Sequence, residues 1–394
     1  MKSISNKNLI MTICATLIFF ASTPSAFAQL PDNAALLYYQ ACLLYEKPDE
    51  TMDKMLHDFL DDKIGVNEVI EQHIEKNRKV IDFIIKAANI PNCDWGYDYS
   101  QGFELVMPNL AHLRRITFLI QAEAKLLAEN GDYQNALDHC LSMHKMALHA
   151  TDRTIIGYLV AIAISGRANT AIQGILKDTP EDSQVLNRLK EQLTNIENKF
   201  PLLRDFIGYE AEVCVATMQR DKAQEILDAV FDEDCFDPNM TKRIFEADEA
   251  FFERNRNCYT RHMNSIQVVL DAPISYPQAY EKLLELGEKL TKEAEEKDAP
   301  LAIMFAPAFN RIYSLSVRGK THFNAVKTAI EVYIIKAKIG RLPNTLPAGL
   351  PMDLFSSKPF EYRKTVDGFI LRCQGEDLSD KDKKIYEYEF KVKR

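Results

Sequence analysis

The sequence predicts a mainly α-helical protein of stacked helical hairpins, tetratricopeptide-like in part, with a small antiparallel β module at the C-terminus. Apolar residues recur at three- and four-residue spacing through most of residues 33–340, which is the period of one helix face. After residue 340, prolines interrupt the chain and apolar residues begin to alternate, which is typical of strands. We therefore divide the chain into a signal peptide (1–28), a helical body (29–340) and a β-rich tail (341–394).

The first 28 residues have the pattern of a secretory signal peptide. Lys2 and Lys7 precede an apolar run over 9–21 that is shorter than a membrane span, and Ala26-Phe27-Ala28 fits the site that signal peptidase cleaves. We expect cleavage after Ala28 and export to the periplasm or the cell exterior. An uncleaved membrane anchor is the alternative.

The net charge and the hydropathy of the chain exclude several classes of binding partner. The chain carries a net charge of −9, and loss of the two lysines in 1–28 makes it −11. Nucleic acids and anionic lipid surfaces select basic faces, so this balance argues against both. No second apolar run approaches ~18 residues, which predicts no membrane span after signal cleavage.

Capping and stop signals place the helices of the body in order. The first begins behind Asp32 and runs to Pro48, and a long helix follows over 67–88. The next, over 110–129, ends at Asn130-Gly131, and Asp132 caps its successor. Further helices are expected behind Thr151 or Asp152, behind Thr179-Pro180, and at 202–230, 241–258, 276–298 and 321–339.

A spacing of glycine and alanine that occurs twice in the chain indicates an array of helical hairpins. Gly131 precedes Ala136 as Gly166 precedes Ala171, at an interval of 35 residues. A helix that ends in glycine and restarts before alanine is typical of a tetratricopeptide turn, whose period is about 34 residues. Such arrays need roughly three units, and two are found, so we expect this packing only locally.

Seven cysteines follow the signal peptide, and none has C-x-x-C spacing, which argues against thioredoxin-like and zinc-ribbon sites. Export permits disulfides, and the odd number leaves at least one thiol free or shared between chains. A bridge among Cys214, Cys235 and Cys258 and buried reduced thiols are both open. The seven are Cys42, Cys93, Cys140, Cys214, Cys235, Cys258 and Cys373.

Two segments resemble known families. Cys93-Asp-Trp-Gly-Tyr97, Met107-Pro-Asn-Leu110, Leu113-Arg-Arg115 and the apolar run 155–163 together resemble exported helical proteins of unknown function from planctomycetes and related bacteria. Asn109 stands where that family usually has histidine. The resemblance implies an exported helical protein and brings no activity with it.

The C-terminal segment resembles the end of a type II secretion major pseudopilin. It carries Gly340-Arg-Leu-Pro343, Pro351-Met-Asp353 and Gly375-Glu-Asp377. The resemblance implies a helix, a proline-rich loop, a small sheet and a calcium-binding loop. Because the long apolar helix of pseudopilins is missing after residue 28, we expect a borrowed module and no filament subunit. Independently, Asp367-Gly368 predicts a hairpin between 360–362 and 369–371, and 386–390 alternates as a third strand.

The tail also supplies the candidate metal ligands, Asp377, Asp380 and Asp382. Their carboxylates are the hard oxygen donors that calcium prefers. Positive charges lie among these candidate ligands, at Lys381, Lys383 and Lys384, so the alternative is a solvated turn that binds no metal. Calcium is the single cofactor that the residues suggest.

The candidate catalytic residues surround the only tryptophan, Trp95; they are Asp94, Asp98 and Glu104. Two carboxylates beside an aromatic platform can hydrolyse a sugar bond. They can equally cap the helix near Pro108 and pair with Arg114 and Arg115. His139, His144 and His149 spread around one helix and are not expected to converge on a metal.

No nucleophile elbow, phosphate-binding loop or zinc-protease motif occurs in the sequence. We therefore expect an exported, non-enzymatic helical protein that binds an envelope or extracellular protein on a concave surface. The alternative is an enzyme that acts on an envelope or extracellular polysaccharide through a carboxylate pair. A third hypothesis is a coat component held together by the odd cysteine.

Overall fold

The computed structural model describes residues 31–177, 179, 182–230 and 238–392. The predicted signal peptide, Cys235 and the acidic segment around it lie outside these residues. The described chain is mainly helical and ends in a three-stranded antiparallel sheet, so the predicted fold class is confirmed.

Within the described residues, the N-terminal half of the body consists of eight α-helices. These are α1 (Ala34–Leu44), α2 (Glu50–Leu60), α3 (Glu68–Lys76), α4 (Arg78–Ala88), α5 (Pro108–Glu129), α6 (Tyr133–Ala150), α7 (Ile155–Leu176) and α8 (Ser183–Glu197). A 3-10 helix, Tyr99–Glu104, lies between α4 and α5. The buried faces of α1–α7 form one apolar cluster.

The second half continues the helical array. It contains α9 (Ile207–Thr217), α10 (Ala223–Val230), α11 (Pro238–Glu246), α12 (Glu249–Asp271), α13 (Tyr276–Lys297), α14 (Pro300–Met304) and α15 (Phe309–Ile339). Short 3-10 helices, Leu203–Phe206 and Arg220–Lys222, flank α9. A second apolar cluster holds these helices together.

Several predicted helix ends are wrong. Asn33, not Asp32, caps α1. The helix predicted over 67–88 is two helices, because the buried Asn77 pairs with the backbone of Glu46 through bonds of 3.0 and 3.2 Å. Helix α2, capped by Asp49, was not predicted.

The remaining differences concern later helix starts and breaks. Helix α7 is capped by Thr154, and α8 begins behind Asp182 rather than at Pro180. Each of the stretches predicted as one helix over 202–230 and 241–258 contains residues of two: α9 and α10 in the first, and α11 and α12 in the second. Helix α12 extends to Asp271, and α15 begins at Phe309. Two predictions agree with the structure: Asp132 caps α6, and α13 occupies the predicted span.

The tetratricopeptide-like pattern is only partly present. Gly131 adopts a left-handed φ of 83° in the tight turn between α5 and α6, as its position predicts. Gly166 instead lies inside the continuous helix α7, so the second predicted turn is wrong. One hairpin of this type does not establish a repeat.

Helix α7 differs from the expectation that no apolar segment after the signal peptide approaches the length of a membrane span. It is long and apolar enough, by length and composition, to cross a membrane, and half of its most apolar window is buried in the protein. Within the structure it packs against α5, α6 and α15. A central core helix meets the same criterion, so this feature does not indicate a membrane span.

The tail forms strands β1 (Glu361–Lys364), β2 (Gly368–Arg372) and β3 (Glu387–Lys391), in the order β1-β2-β3. Phe369 pairs with Phe390, and Leu371 pairs with Tyr388, which turns these four side chains to one buried face. That face shares an apolar cluster with α7 and α15. Tyr333 of α15 donates to the carbonyl of Lys391 at 2.5 Å, which fastens β3 to the body.

Candidate functional site

Trp95 is a core residue and does not form the wall of an open cleft. Its side chain is 6 % exposed and stacks on Tyr38 at 5.4 Å between ring centroids. The edge of Tyr39 packs on it at 5.6 Å, and the indole Nε1 donates to the carbonyl of His149 at 2.7 Å. This bond joins the segment after α4 to the end of α6.

The carboxylates beside Trp95 are engaged locally. Asp94 accepts a bond of 2.9 Å from the amide of Gly96, whose φ of 68° closes a tight turn. Asp98 caps the 3-10 helix by accepting from the hydroxyl and amide of Ser100, and these bonds lower its pKa. Glu104 is exposed.

The ion pairs predicted between these carboxylates and Arg114 or Arg115 are not formed among the residues that the structure describes. Asp94 and Asp98 accept hydrogen bonds from nearby backbone amides and so have structural roles. The three carboxylates do not converge on Trp95. The geometry therefore gives no support to sugar hydrolysis at this place.

The aspartates of the tail do not form a calcium site. Asp377 is fully buried, and its Oδ2 accepts bonds from the guanidinium of Arg318 at 2.5 and 3.0 Å. Asp380 accepts from the amide of Asp382, which is exposed. Among the described residues, no cluster of three or more His, Cys, Asp or Glu could hold a metal ion. An arginine thus takes the place beside Asp377 that a cation would need, and these residues do not fit calcium.

A second buried carboxylate organises the same tail. Asp353 is fully buried and accepts bonds of 2.9 Å from the amides of Phe355, Gln374 and Gly375. The hydroxyl of Ser356 donates to it at 2.6 Å. Four donors satisfy this carboxylate, so its role is to hold the loop before β1 against the loop after β2.

The histidines of α6 face different partners. His139 Nδ1 lies 2.7 Å from the carbonyl of Asn135, and His144 Nδ1 lies 3.1 Å from the hydroxyl of Ser165. His149 Nδ1 lies 2.9 Å from the hydroxyl of Tyr38. The three imidazoles belong to three separate polar contacts.

All six described cysteines are free. A bridge between Cys214 and Cys258 is therefore wrong, and Cys235 lies outside the described residues. Cys214 is buried and accepts a bond from the hydroxyl of Tyr259 at 3.0 Å, while Cys140 and Cys373 pack in the shared core. These buried thiols act as small apolar side chains.

The site that the geometry does build is a groove of about 880 Å³ at the converging ends of three helices. Its walls are the segment after α4, the last turns of α6 and the second half of α8. We call it the amide groove, because five side-chain amides line it: Asn89, Asn92, Gln192, Asn195 and Asn198.

Three helix C-caps lie in the amide groove: Asn89 for α4, Thr151 for α6 and Asn198 for α8. The last carbonyls of a helix lack an intrahelical donor, so they can accept bonds from a bound molecule. Each side-chain amide adds two donors and an acceptor. The groove therefore offers donors and acceptors close together.

Lys145 and Lys199 give the amide groove a positive charge, and none of its described lining residues is acidic. Lys145 donates to Asn89 across the groove at 2.7 Å, and burial lowers its pKa. Lys199 is exposed at the mouth. The ammonium group of Lys145 lies at the C-cap of α4, and Lys199 follows the C-cap of α8, so the helix dipoles also favour these positive charges.

The thiol and the imidazole that line the amide groove are not activated for nucleophilic attack. Burial raises the pKa of the Cys93 thiol to about 12, so the thiol stays protonated at neutral pH. Burial lowers the pKa of His149 to about 4, which keeps its imidazole neutral. A thiolate–imidazolium pair is thus not formed between these two lining residues.

The amide groove could not be predicted from the sequence, because its residues come from three segments that lie far apart in the chain. Asparagine and glutamine carry no periodic signal, and each segment reads as an ordinary helix end. The repeated Asn at 89, 92, 195 and 198 was the one available signal. Comparisons with protein-family models, curated proteins and solved structures find no match to this chain.

Proposed function

We propose that this protein is an exported, non-catalytic interaction protein of the cell envelope, and that the amide groove holds an extended, acidic segment of a partner protein. The observation that carries the proposal is the groove itself, with five side-chain amides, two lysines and no acid among its described lining residues. Export rests on the signal-peptide pattern of residues 1–28.

The hydrogen-bonding pattern of the groove suits a peptide backbone. An extended chain presents amide N–H and carbonyl groups alternately, and both must be satisfied when it is bound. Side-chain amides can donate and accept at once, and the C-cap carbonyls of α4, α6 and α8 accept.

The charge of the groove selects the side chains of the partner. Lys145 and Lys199 favour carboxylates, and the strongly negative remainder of the protein repels acidic chains elsewhere. Binding at the groove is therefore expected to depend on salt, because exposed charges such as Lys199 are screened.

The double substitution Gln192→Ala and Asn195→Ala is expected to weaken binding of acidic peptides about 30-fold, because it removes two hydrogen bonds of about 1 kcal/mol each. Both residues lie on the groove side of α8, and alanine is the better helix former, so the helix is not weakened. Fluorescence anisotropy with extended peptides of acidic, neutral and basic composition measures the effect.

Asn187→Ala is the matched control. Asn187 is exposed on the same helix, outside the groove, and donates to the carbonyl of Ser183. It is expected to leave affinity unchanged, while Lys199→Glu should shift preference away from acidic peptides. Equal weakening by the control, or binding of neutral oligosaccharides with no peptide binding, would contradict the proposal.

A further inference from the structure

A second cavity, separate from the amide groove, lies between α5 and α7. Its volume is about 340 Å³, near the lower limit for small-molecule sites. Arg114 of α5 and Arg167 of α7 both line it, together with Thr117, Gly166 and Thr170. No acidic side chain is among its described lining residues.

The two arginines lack the carboxylate partners that such residues usually have. Neither forms an ion pair with any described residue. Arg114 is exposed, and Arg167 makes one long bond of 3.5 Å from Nη1 to Gln121. A guanidinium has five N–H donors, so nearly all the donors of this pair remain available.

Arg167 is nevertheless held in position. Its guanidinium carbon lies 3.3 Å from the ring centroid of Phe118, so the planar group stacks on an aromatic face. Burial, reinforced by the nearby charge of Arg114, lowers its pKa to about 10. The guanidinium of Arg167 is thus held at the cavity beside the charge of Arg114, and Asp61, which pairs with Lys63 at 2.7 Å, balances its charge only partly.

We infer that this cavity is a binding site for a phosphate group, either free or as a monoester. Two guanidinium groups balance the two charges of a phosphate dianion, and each can present a fork of parallel N–H donors to its oxygens. A single carboxylate would balance one charge and offer too few oxygens for both forks. Thr117 and Thr170 already donate to helix carbonyls, so the arginines supply the recognition.

The open side of the cavity provides a way to block the site without removing charge. Gly166 lines it, and a Cβ built there meets no atom within 4 Å. Gly166→Leu therefore places a side chain in open space at the cavity and also improves helix propensity. It is expected to obstruct phosphate while α7 stays folded.

Isothermal titration of the full chain with inorganic phosphate tests the inference. Arg114→Gln is expected to weaken binding at least about tenfold, through loss of charge-assisted bonds, and Gly166→Leu should do the same. Arg115→Gln is the matched control, since Arg115 is exposed one residue away and does not line the cavity. Acetate is expected to bind more weakly than phosphate.

Two further experiments distinguish a lipid phosphate from a soluble one. The first is flotation with phosphatidylcholine vesicles that contain phosphatidic acid, and the second is titration with a soluble phosphate monoester. Binding in either experiment that is lost in Arg114→Gln supports the site and identifies where the phosphate comes from. Absence of phosphate binding by the wild type, equal binding by Arg114→Gln, or equal affinity for acetate would overturn the inference. These results are independent of peptide binding at the amide groove.

Discussion

Arg318→Met is expected to reduce the free energy of unfolding by about 3 kcal/mol, because it leaves a buried carboxylate without its cation. Asp377 is fully buried, and Arg318 is the charged group that faces it. Burial raises the pKa of Asp377, but the bonds from Ser379 and Arg318 more than offset this and lower it overall. We take the lower end of the usual range because the Arg318 side chain is 35 % exposed, which lets water reach the site. Urea unfolding measures the change.

Arg372→Met is the matched control for this substitution. Arg372 pairs with Glu361 at 3.0 Å and Glu387 at 3.2 Å on the solvent face of the sheet. Exposed pairs contribute at most about 1 kcal/mol. Adding Asp377→Asn to Arg318→Met should recover part of the loss. Equal costs for Arg318→Met and Arg372→Met would show that the buried pair does not fasten the tail.

Acidification from pH 6.5 to pH 4.5 is expected to cost the folded protein about 5 kcal/mol through two neighbouring histidines alone. His144 is fully buried, and burial followed by the charge of His322 lowers its pKa to about 3. Burial lowers the pKa of His322 to about 4. Phe323 packs on His144, and Tyr388 of β3 stacks on the partly buried ring of His322.

The direction follows from the folded and unfolded pKa values. An unfolded histidine titrates near pH 6.5, and both folded values lie below that, so the neutral rings stabilise the fold fully above about pH 6.5. The contribution falls as the pH drops toward 4, by roughly 1.4 kcal/mol per pH unit for each ring. His149 and His262, whose pKa values burial lowers to about 4, add to the same trend.

Urea unfolding across this pH range measures the loss. His322→Gln should reduce the slope by about half of the pair's share. His57→Gln, on α2 with a side chain that is 45 % exposed, is the control and should not produce that reduction. A free energy of unfolding that stays constant between pH 6.5 and 4.5 would mean that these rings gain access to solvent.

Local signals in the sequence predicted local structure well. Asp132 caps α6 because its side chain accepts from the amide of Asn135 three residues later. Gly131 takes the left-handed turn before it. The alternating apolar residues of 386–390 became β3 because one strand face packs on the body. In each case the residues that determine the structure are neighbours in the chain.

Contacts between distant segments could not be predicted in this way. The helix over 67–88 breaks at Asn77 because of a pairing with Glu46, 31 residues away. The tail aspartate Asp377 resembles a metal ligand in sequence, and its partner Arg318 lies 59 residues earlier on α15. The amide groove is assembled from three helix ends, and no one of them indicates a site.

In our proposal, the amide groove binds an acidic segment of an envelope partner. Photo-cross-linking from Asn195 in the exporting cell, with the same reactive side chain at the exposed Glu285 of α13 as control, tests it most directly. We expect a protein adduct from position 195 that an acidic peptide competes away and that position 285 does not give. Identical adducts from both positions, or an adduct at 195 that acidic peptide leaves unchanged, would contradict it.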